Sequence, residues 1–308
     1  MIEKAISLLC TFGEPIIMPC KLAVKTKVKK EILMSTIFHR RLLMALLVSL
    51  AFIAFPAFSH ATHSWGGYHW ARTSNSFTLK LGDNVSSTWY PILATTSSDW
   101  TVSSVLDTTI VTGTSNPKNC RATSGQVQVC SSTYGNTGWL GVASIWISGG
   151  HITQGTVKVN NTYHNKAPYN TTAWRNLVMC QEVGHIFGLD HQDENFSNTN
   201  LNTCMDYTNN PSSNQHPNQH DYDQLESIYS HFDSMTTARQ ATNSGKMPPA
   251  MRDIDVSGPG QWGKLIHSSH GGWKETYELD FGRGHKIVTY VIWATAEDGS
   301  ADHEHGRR

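Results

Sequence analysis

Apolar and polar residues alternate in several short segments of the chain between residues 65 and 159. Residues 77–81 and 126–130 alternate with a period of two, and residues 108–112 are rich in β-branched side chains. Residues 139–147 and 155–159 add two more apolar segments on either side of a glycine-containing turn. Such patterns are typical of strands, so this part of the chain is predicted to form a half-buried sheet.

Helical periodicity replaces alternation at three places. Residues 89–100 can form a helix with Pro91 in its first turn, and residues 221–232 repeat apolar side chains at helical spacing. Residues 173–188 are amphipathic and end at Gly188, a residue suited to the conformation that closes helices. The Asn/Ser-rich stretch at 195–218 is predicted to be a long loop.

The last part of the chain returns to β patterning. Residues 234–261 are poor in large apolar side chains and contain several prolines, which predicts a linker. Short strands are predicted between residues 265 and 294, and because so few strands are marginal alone, they should pack on the main domain. The fold class is therefore predicted to be α+β. The domains are predicted at 62–233 (main domain), 234–261 (linker) and 262–308 (small β unit and polar tail).

An apolar run near the N-terminus departs from the composition of the rest of the chain. Basic residues 39–41 precede the apolar run 42–58, which is followed by Ser59 and Ala61. This order predicts a signal peptide over residues 34–61, cleaved after Ala61, with residues 1–33 as an upstream extension. The alternative is an uncleaved anchor helix, for which this proline-containing run is short. We expect a secreted or periplasmic protein without stable membrane association.

Charge restricts the classes of partner. Of the 24 basic and 24 acidic side chains, 8 basic and 3 acidic lie in residues 1–61. The remaining body, with 16 basic and 21 acidic side chains, is mildly acidic. Because nucleic-acid binding depends on a strongly basic surface, no nucleic-acid partner is expected.

Four cysteines remain after the predicted cleavage site: Cys120, Cys130, Cys180 and Cys204. An even number in an exported protein predicts two disulfides, and the absence of a C-x-x-C spacing argues against a cysteine zinc site. Three pairings are open. Cys120 with Cys130 across a Ser/Gly-containing loop is favoured, which leaves Cys180 with Cys204.

The predicted helix at 173–188 carries the residues that indicate chemistry. Gln181 and His185 are four residues apart and share a face, and Glu182 lies beside them. A turn at Gly188 can bring His191 back towards that face. Three ligands with an open fourth position are typical of a catalytic zinc ion, and Glu182 would then be the general base.

The segment from Cys180 to His191 resembles the metzincin signature HExxHxxGxxH, with Gln181 in place of the first histidine. Met205 follows at the position of the metzincin methionine turn, and Tyr207 lies two residues beyond it. The resemblance covers roughly residues 65–232 and is to matrixin- and reprolysin-like members. It implies a metzincin-like twisted mixed sheet with an active-site helix, a methionine turn and a C-terminal helix.

The resemblance also implies roles for individual residues. Zinc would be held by Gln181, His185 and His191, with Met205 beneath it. Glu182 would activate metal-bound water, and Tyr207 would assist the oxyanion. Because an edge strand of the sheet binds the substrate in this family, residues 150–159 are predicted to pair with it.

Gln181 is the departure from the family pattern. An amide oxygen is a poorer zinc ligand than an imidazole nitrogen, so weaker metal binding is expected. Asp190 or Asp193 could supply a compensating oxygen. Four further histidines are predicted to have surface, helix-end or packing roles rather than ligand roles: His151, His164, His216 and His220.

These observations favour a secreted zinc metalloendopeptidase acting on a protein or peptide substrate. The alternative is a catalytically inactive metzincin-fold binding or surface protein whose metal site is impaired by Gln181. A serine or cysteine hydrolase is a third class. It lacks support because no G-x-S-x-G elbow is present and Cys180 is expected in a disulfide.

Overall fold

The computed structural model describes residues 63–196, 198–238, 247–252, 254–269 and 272–294. The predicted N-terminal extension and signal peptide lie outside the described residues, as does the polar tail after residue 294. Within the described ranges, no helix has both the length and the apolar character needed to cross a membrane.

The described chain contains nine strands and five α-helices. The strands are β1 (His69–Trp70), β2 (Phe77–Asn84), β3 (Leu106–Thr112), β4 (Val127–Ser132), β5 (Trp139–Ser148), β6 (His151–Asn160), β7 (Lys264–Ser269), β8 (Lys274–Gly282) and β9 (His285–Trp293). The helices are α1 (Tyr90–Trp100), α2 (Asn161–His164), α3 (Thr172–Ile186), α4 (Gln219–Ile228) and α5 (Pro249–Arg252). Two 3₁₀ turns lie at Pro211–Ser213 and Pro259–Gln261. The predicted α+β class is confirmed at this level.

All nine strands belong to one mixed sheet, in the order β3-β2-β4-β6-β5-β9-β8-β7, with β1 beside the start of β6. The pairs β2–β3, β2–β4, β4–β6 and β1–β6 are parallel. From β6 onwards every pair is antiparallel. The sheet therefore changes character at β6, where the parallel half meets the antiparallel half.

Strand β6 is an interior strand, so the prediction that residues 150–159 form a substrate-binding edge is wrong. Its residues 155–160 pair with β4 on one side, and its whole length pairs with β5 on the other. An added peptide needs unpaired backbone N–H and C=O groups, which β6 does not offer. The periodicity located the strand correctly, but periodicity does not encode the order of strands in a sheet.

The C-terminal strands β7–β9, predicted to be a small β unit packed on the main domain, continue the main sheet. β9 pairs with β5 along the full length of β5, with Trp139 opposite Trp293 and Ser148 opposite His285. β8 pairs with β9, and β7 closes this end of the sheet. The second edge of β5 is therefore also occupied.

Helices α1 and α3 enclose the larger core. α3 begins where the Thr171 side chain accepts a hydrogen bond from the backbone N–H of Trp174, which satisfies one free donor of the first turn. Its buried side chains include Leu177 and Val183. α1 has proline in its first turn and ends at Trp100, which is fully buried and lies edge-on to Phe187.

Strand β5 is buried on both faces. Leu140, Ala143 and Ile145 belong to the larger core, whereas Val142 and Trp146 belong to a second apolar cluster on the opposite side. Residues from α5, the following loop and β9 complete that second cluster, which includes Met251, Trp262 and Val291. The centre of the sheet is thus rigidly enclosed, and β5 supports the candidate site described next.

Both predicted disulfides are present. Cys120 is bonded to Cys130, and Cys180 to Cys204, each with a Cα–Cα distance of 5.9 Å. The second bond joins α3 to the residue before Met205.

Candidate metal site

The helix cluster consists of Gln181, Glu182, His185 and His191. Gln181 and Glu182 lie one turn before His185 at the buried end of α3, and His191 follows the helix. All four side chains are buried or nearly so. The sequence analysis predicted that these residues would converge, and the structure brings the two histidines into contact.

The two histidines approach each other through their Nε2 atoms. His185 Nε2 lies 3.1 Å from His191 Nε2. The Nδ1 of His185 donates to the carbonyl oxygen of Leu189 at 2.9 Å, which leaves the Nε2 lone pair directed at the cluster. Two nitrogen ligands of a tetrahedral zinc ion, at 2.0–2.1 Å from the metal, lie about 3.3 Å apart. The spacing of the imidazoles fits that geometry.

Gly188 makes the return of His191 sterically feasible. Its φ is +97°, a conformation that side-chain-bearing residues rarely adopt, and a Cβ there would lie 2.0 Å from the carbonyl oxygen of Tyr68. Beyond this turn, Asp190 N–H donates to the carbonyl of His63 at 2.7 Å, which fixes the segment leading to His191.

Gln181 and Glu182 carry buried polar atoms that the described residues leave without hydrogen bonds. This holds for both the amide oxygen and nitrogen of Gln181 and for both carboxylate oxygens of Glu182. Buried polar groups are nearly always paired, because an unpaired one costs about 1–3 kcal/mol. A metal ion would satisfy the amide oxygen of Gln181, and water would satisfy its amide nitrogen and the Glu182 carboxylate, so the chemistry of these residues fits a metal site.

Neither aspartate offered as a compensating ligand faces the Nε2 pair. The carboxylate of Asp190 accepts from the backbone N–H of His191 and lies 3.3 Å from Nδ1 of His191, the far ring nitrogen. Asp193 accepts hydrogen bonds from Asn195 N–H and the Asn198 side chain. Asp190 therefore contacts His191 on the side away from the Nε2 pair, although ligand atoms of Asp190, His191 and Glu194 also lie within 4.8 Å of one another.

The electrostatics keep the imidazoles neutral. Burial lowers the pKa of both His185 and His191 well below the usual value, and the proximity of His191 adds to the effect on His185. Burial also raises the pKa of Glu182 well above its usual value, and the positive charge of Lys274 opposes this rise. Neutral imidazoles are the form that binds metals.

Met205 packs against α3, and Tyr207 lies beside His191. The Met205 side chain is buried against α3 at Gly184, where a Cβ would lie 2.5 Å from the Met205 sulfur. The Tyr207 ring lies edge-on to His191, with ring centres 4.4 Å apart. Two backbone hydrogen bonds, Gln192 N–H to Met205 O and Tyr207 N–H to Asp193 O, hold the methionine turn to the His191 segment.

The C-terminal strands supply wall residues that the sequence analysis did not anticipate. The ring of Tyr290 on β9 stacks on His185, with centres 4.2 Å apart and planes within 4°. Lys274 on β8 places its ammonium group 3.8 Å from the Tyr207 ring centre, and burial lowers its pKa to about 7. Ser269 on β7 donates to the Tyr207 hydroxyl at 2.8 Å. No local motif marks these residues, because their role arises from strand pairing.

An apolar pocket of about 110 Å³ lies beside the helix cluster. Five of its thirteen lining residues are aromatic, and its polar side chains come from Gln181, Thr208, Asn209 and Lys274. Its aromatic lining residues include Tyr169, Trp174, Phe196, Trp273 and Trp293. The pocket could hold one apolar side chain of a ligand next to the cluster.

One predicted histidine environment is wrong. His164, expected to be an exposed polar residue, is fully buried at the end of α2, edge-on to Trp89 and hydrogen-bonded through Nδ1 to Tyr169 O. Burial lowers its pKa to about 4. His216 is largely exposed and contacts Asp99, whereas His220 stacks on His63.

Comparison of the chain with known protein families, curated proteins and solved structures found no match. The inference of function rests on the residues and their geometry.

Proposed function

We propose that the chain is an exported zinc-dependent metallopeptidase of metzincin type. The observation that carries the proposal is the convergence of His185 and His191 through Nε2 at 3.1 Å, beside the unpaired buried groups of Gln181 and Glu182. Gln181, His185 and His191 would hold the ion. These three ligands are all neutral, and Glu182 is not one of them.

The residues of the chain suggest how peptide hydrolysis would proceed. A zinc ion held by the helix cluster would supply a Lewis acid that polarises the peptide carbonyl and lowers the pKa of water. Glu182, in its ionised form, accepts a proton from the attacking water and then donates it to the leaving amine. The Tyr207 ring lies edge-on to His191, and its hydroxyl would donate to the developing oxyanion. The apolar pocket would receive a substrate side chain.

The described arrangement is closed to a peptide substrate. Glu182, His185 and Tyr207 are buried, and β9 occupies the edge of β5 to which an extended peptide would pair. Hydrolysis therefore requires that the C-terminal strands β7–β9 move away from the helix cluster. The proposed enzyme is latent in this form.

The closed arrangement also favours a second candidate function. If β7–β9 never move away from the helix cluster, the chain is a binding or surface protein with no peptidase activity. The buried Lys274 side chain, when charged, would repel a cation in the helix cluster, so it favours a surface or binding protein with no metal ion there.

A variant in which a disulfide links β5 to β9 distinguishes the two candidate functions. Ser144 on β5 and Thr289 on β9 are direct partners whose side-chain oxygens are 2.9 Å apart, so cysteines at these positions can form a cross-strand disulfide. Zinc-loaded chain should hydrolyse a fluorescent casein substrate. The oxidised Ser144→Cys/Thr289→Cys variant should be inactive and should regain activity when the new bond is reduced.

Two controls define the outcome. Ser144→Cys alone, treated with the same reductant, corrects for any effect on the native disulfides. Glu182→Gln should bind zinc and lack activity in every state. Absence of hydrolysis by the unlocked, zinc-loaded chain would contradict the peptidase proposal and favour the binding protein.

A further inference from the structure

A second histidine cluster shares no residue with the helix cluster. It is formed by His69, His151, His231 and Asp233, and we call it the surface cluster. The sequence analysis assigned no ligand to any of these positions and placed His151 among the exposed polar residues.

Strand pairing brings the first two histidines together. His69 in β1 and His151 at the start of β6 are direct partners in a parallel pair, so their side chains leave the sheet on the same face. His231 and Asp233 follow the end of α4, which returns the chain to this corner of the sheet. Three segments far apart in the chain therefore meet at one point.

All three imidazoles direct Nε2 at the same carboxylate. The distances to Asp233 oxygens are 3.0 Å from His151, 3.6 Å from His69 and 3.7 Å from His231. The ring of His69 lies 4.9 Å from that of His151 and 4.8 Å from that of His231, nearly perpendicular to both. Ligand atoms of a tetrahedral zinc site lie about 3.3 Å apart. The ligand atoms of His69, His151 and Asp233 already lie within 4.8 Å of one another, and the exposed His231 ring would turn inwards to complete the coordination.

Outer hydrogen bonds orient these groups as they do in metal sites. His69 Nδ1 donates to the carbonyl oxygen of Gly67 at 2.9 Å, which leaves the Nε2 lone pair free. Asp233 is held by a reciprocal pair with the backbone of Arg72: its N–H donates to Arg72 O, and its carboxylate accepts from Arg72 N–H. The guanidinium of Arg72 is engaged elsewhere, with Asn75 and the Tyr229 carbonyl.

Ion pairing alone does not account for the arrangement. One carboxylate balances one imidazolium, and three protonated rings at these distances would repel one another. If the rings are neutral, Nε2 of His69 remains buried without a hydrogen-bond partner among the described residues. A cation between the rings and the carboxylate satisfies all four groups.

We infer that the surface cluster binds one zinc ion through Nε2 of His69, His151 and His231 and a carboxylate oxygen of Asp233. Three imidazoles with one carboxylate suit zinc better than magnesium or calcium, which prefer oxygen ligands. Four protein ligands complete a tetrahedral shell and leave no open position, so the role of the ion is structural. It joins β1 and β6 to the segment after α4. The inference does not depend on peptidase activity.

Zinc content tests the inference. After exhaustive dialysis, elemental analysis of the His185→Ala chain, in which the helix cluster is disabled, should find about one zinc per chain. His151→Ala or His231→Ala added to that variant should remove it or weaken binding at least about tenfold, since even outer-shell substitutions have effects of that size. His231 is the safer change for folding, because its side chain is 54% exposed.

A matched control is His216→Ala, which removes another exposed histidine that contacts a single aspartate, and it should leave the zinc content unchanged. Should His185→Ala fail to fold, His231→Ala and His216→Ala in the otherwise unchanged chain give the same comparison. Equal zinc content and affinity in these two variants would overturn the inference.

Discussion

The helix cluster and the surface cluster both direct imidazole nitrogens at one point, but they are built from different parts of the chain. The proposed ligands of the helix cluster lie within one helix and the turn that follows it. Those of the surface cluster come from β1, β6 and the segment after α4. Spacing along the chain therefore reveals the first, whereas only tertiary structure reveals the second.

Their surroundings differ as well. The helix cluster is buried beneath β7–β9 and tied to the methionine turn by the Cys180–Cys204 bond. The surface cluster has a partly exposed His151 and a mostly exposed His231, and no disulfide joins its segments. We expect the first to be held by packing and covalent bonds, and the second to depend on its metal.

The substitution with the largest expected effect is Glu182→Gln. It removes the general base but keeps the volume of the side chain, so peptide hydrolysis by the opened enzyme should fall about 10²–10⁴-fold while zinc content stays unchanged. Steady-state kinetics with elemental analysis measures both. Glu226→Gln, an exposed change on α4, is the matched control and should have no effect. A comparable loss in the control would mean that the assay reports folding rather than catalysis.

Removal of the Cys180–Cys204 bond should loosen the helix cluster alone. In the chain-entropy model, opening a loop of this length lowers the free energy of unfolding by about 3 kcal/mol. Cys180→Ala/Cys204→Ala should therefore lower the urea midpoint and weaken zinc binding at His185 and His191. Cys120→Ala/Cys130→Ala, the control, opens a loop remote from α3 and should leave that zinc affinity intact. Equal weakening by both pairs would count against a local role for the first bond.

Substitution of Gln181 should change metal affinity at one cluster only. An imidazole is a better zinc ligand than an amide oxygen, so Gln181→His should tighten binding and Gln181→Ala should weaken it, each about tenfold or more. Competitive titration with a chromogenic chelator measures the change. Gln219→Ala, an exposed glutamine on α4, provides the baseline. If both Gln181 variants bind zinc like the parent chain, Gln181 is not a ligand.

The smallest expected effect is on the rate of metal loss. Because His231 is mostly exposed and the helix cluster is covered, a chelator should remove the surface zinc first, giving two phases of release. The faster phase should be missing in His231→Ala. A single phase of release, unchanged by that substitution, would show that burial does not distinguish the two clusters.

Much of the fold follows from local patterns. The amphipathic repeat located α3, alternation located β2 and β4, and both disulfides formed as the cysteine spacing favoured. The approach of His185 to His191 was also predictable, because helical spacing and the turn at Gly188 determine which side chains meet.

Features that depend on pairing between strands far apart in the chain could not be predicted from the sequence. The interior position of β6 depends on which strands lie beside it, and the position of β9 on β5 depends on their mutual register. For the same reason Tyr290 and Lys274 entered the site unforeseen, and His164 was assigned to the surface although it is buried against Trp89. The periodicity of side chains shows which face of a strand is buried, but not which strand lies beside it.

The most direct test of the account is an anomalous difference map collected at the zinc absorption edge from crystals of the zinc-loaded protein. The account predicts one peak between Nε2 of His185 and Nε2 of His191, and a second between the three surface histidines and Asp233. Absence of a peak between His185 and His191 would contradict the proposed metallopeptidase, whatever the surface cluster binds.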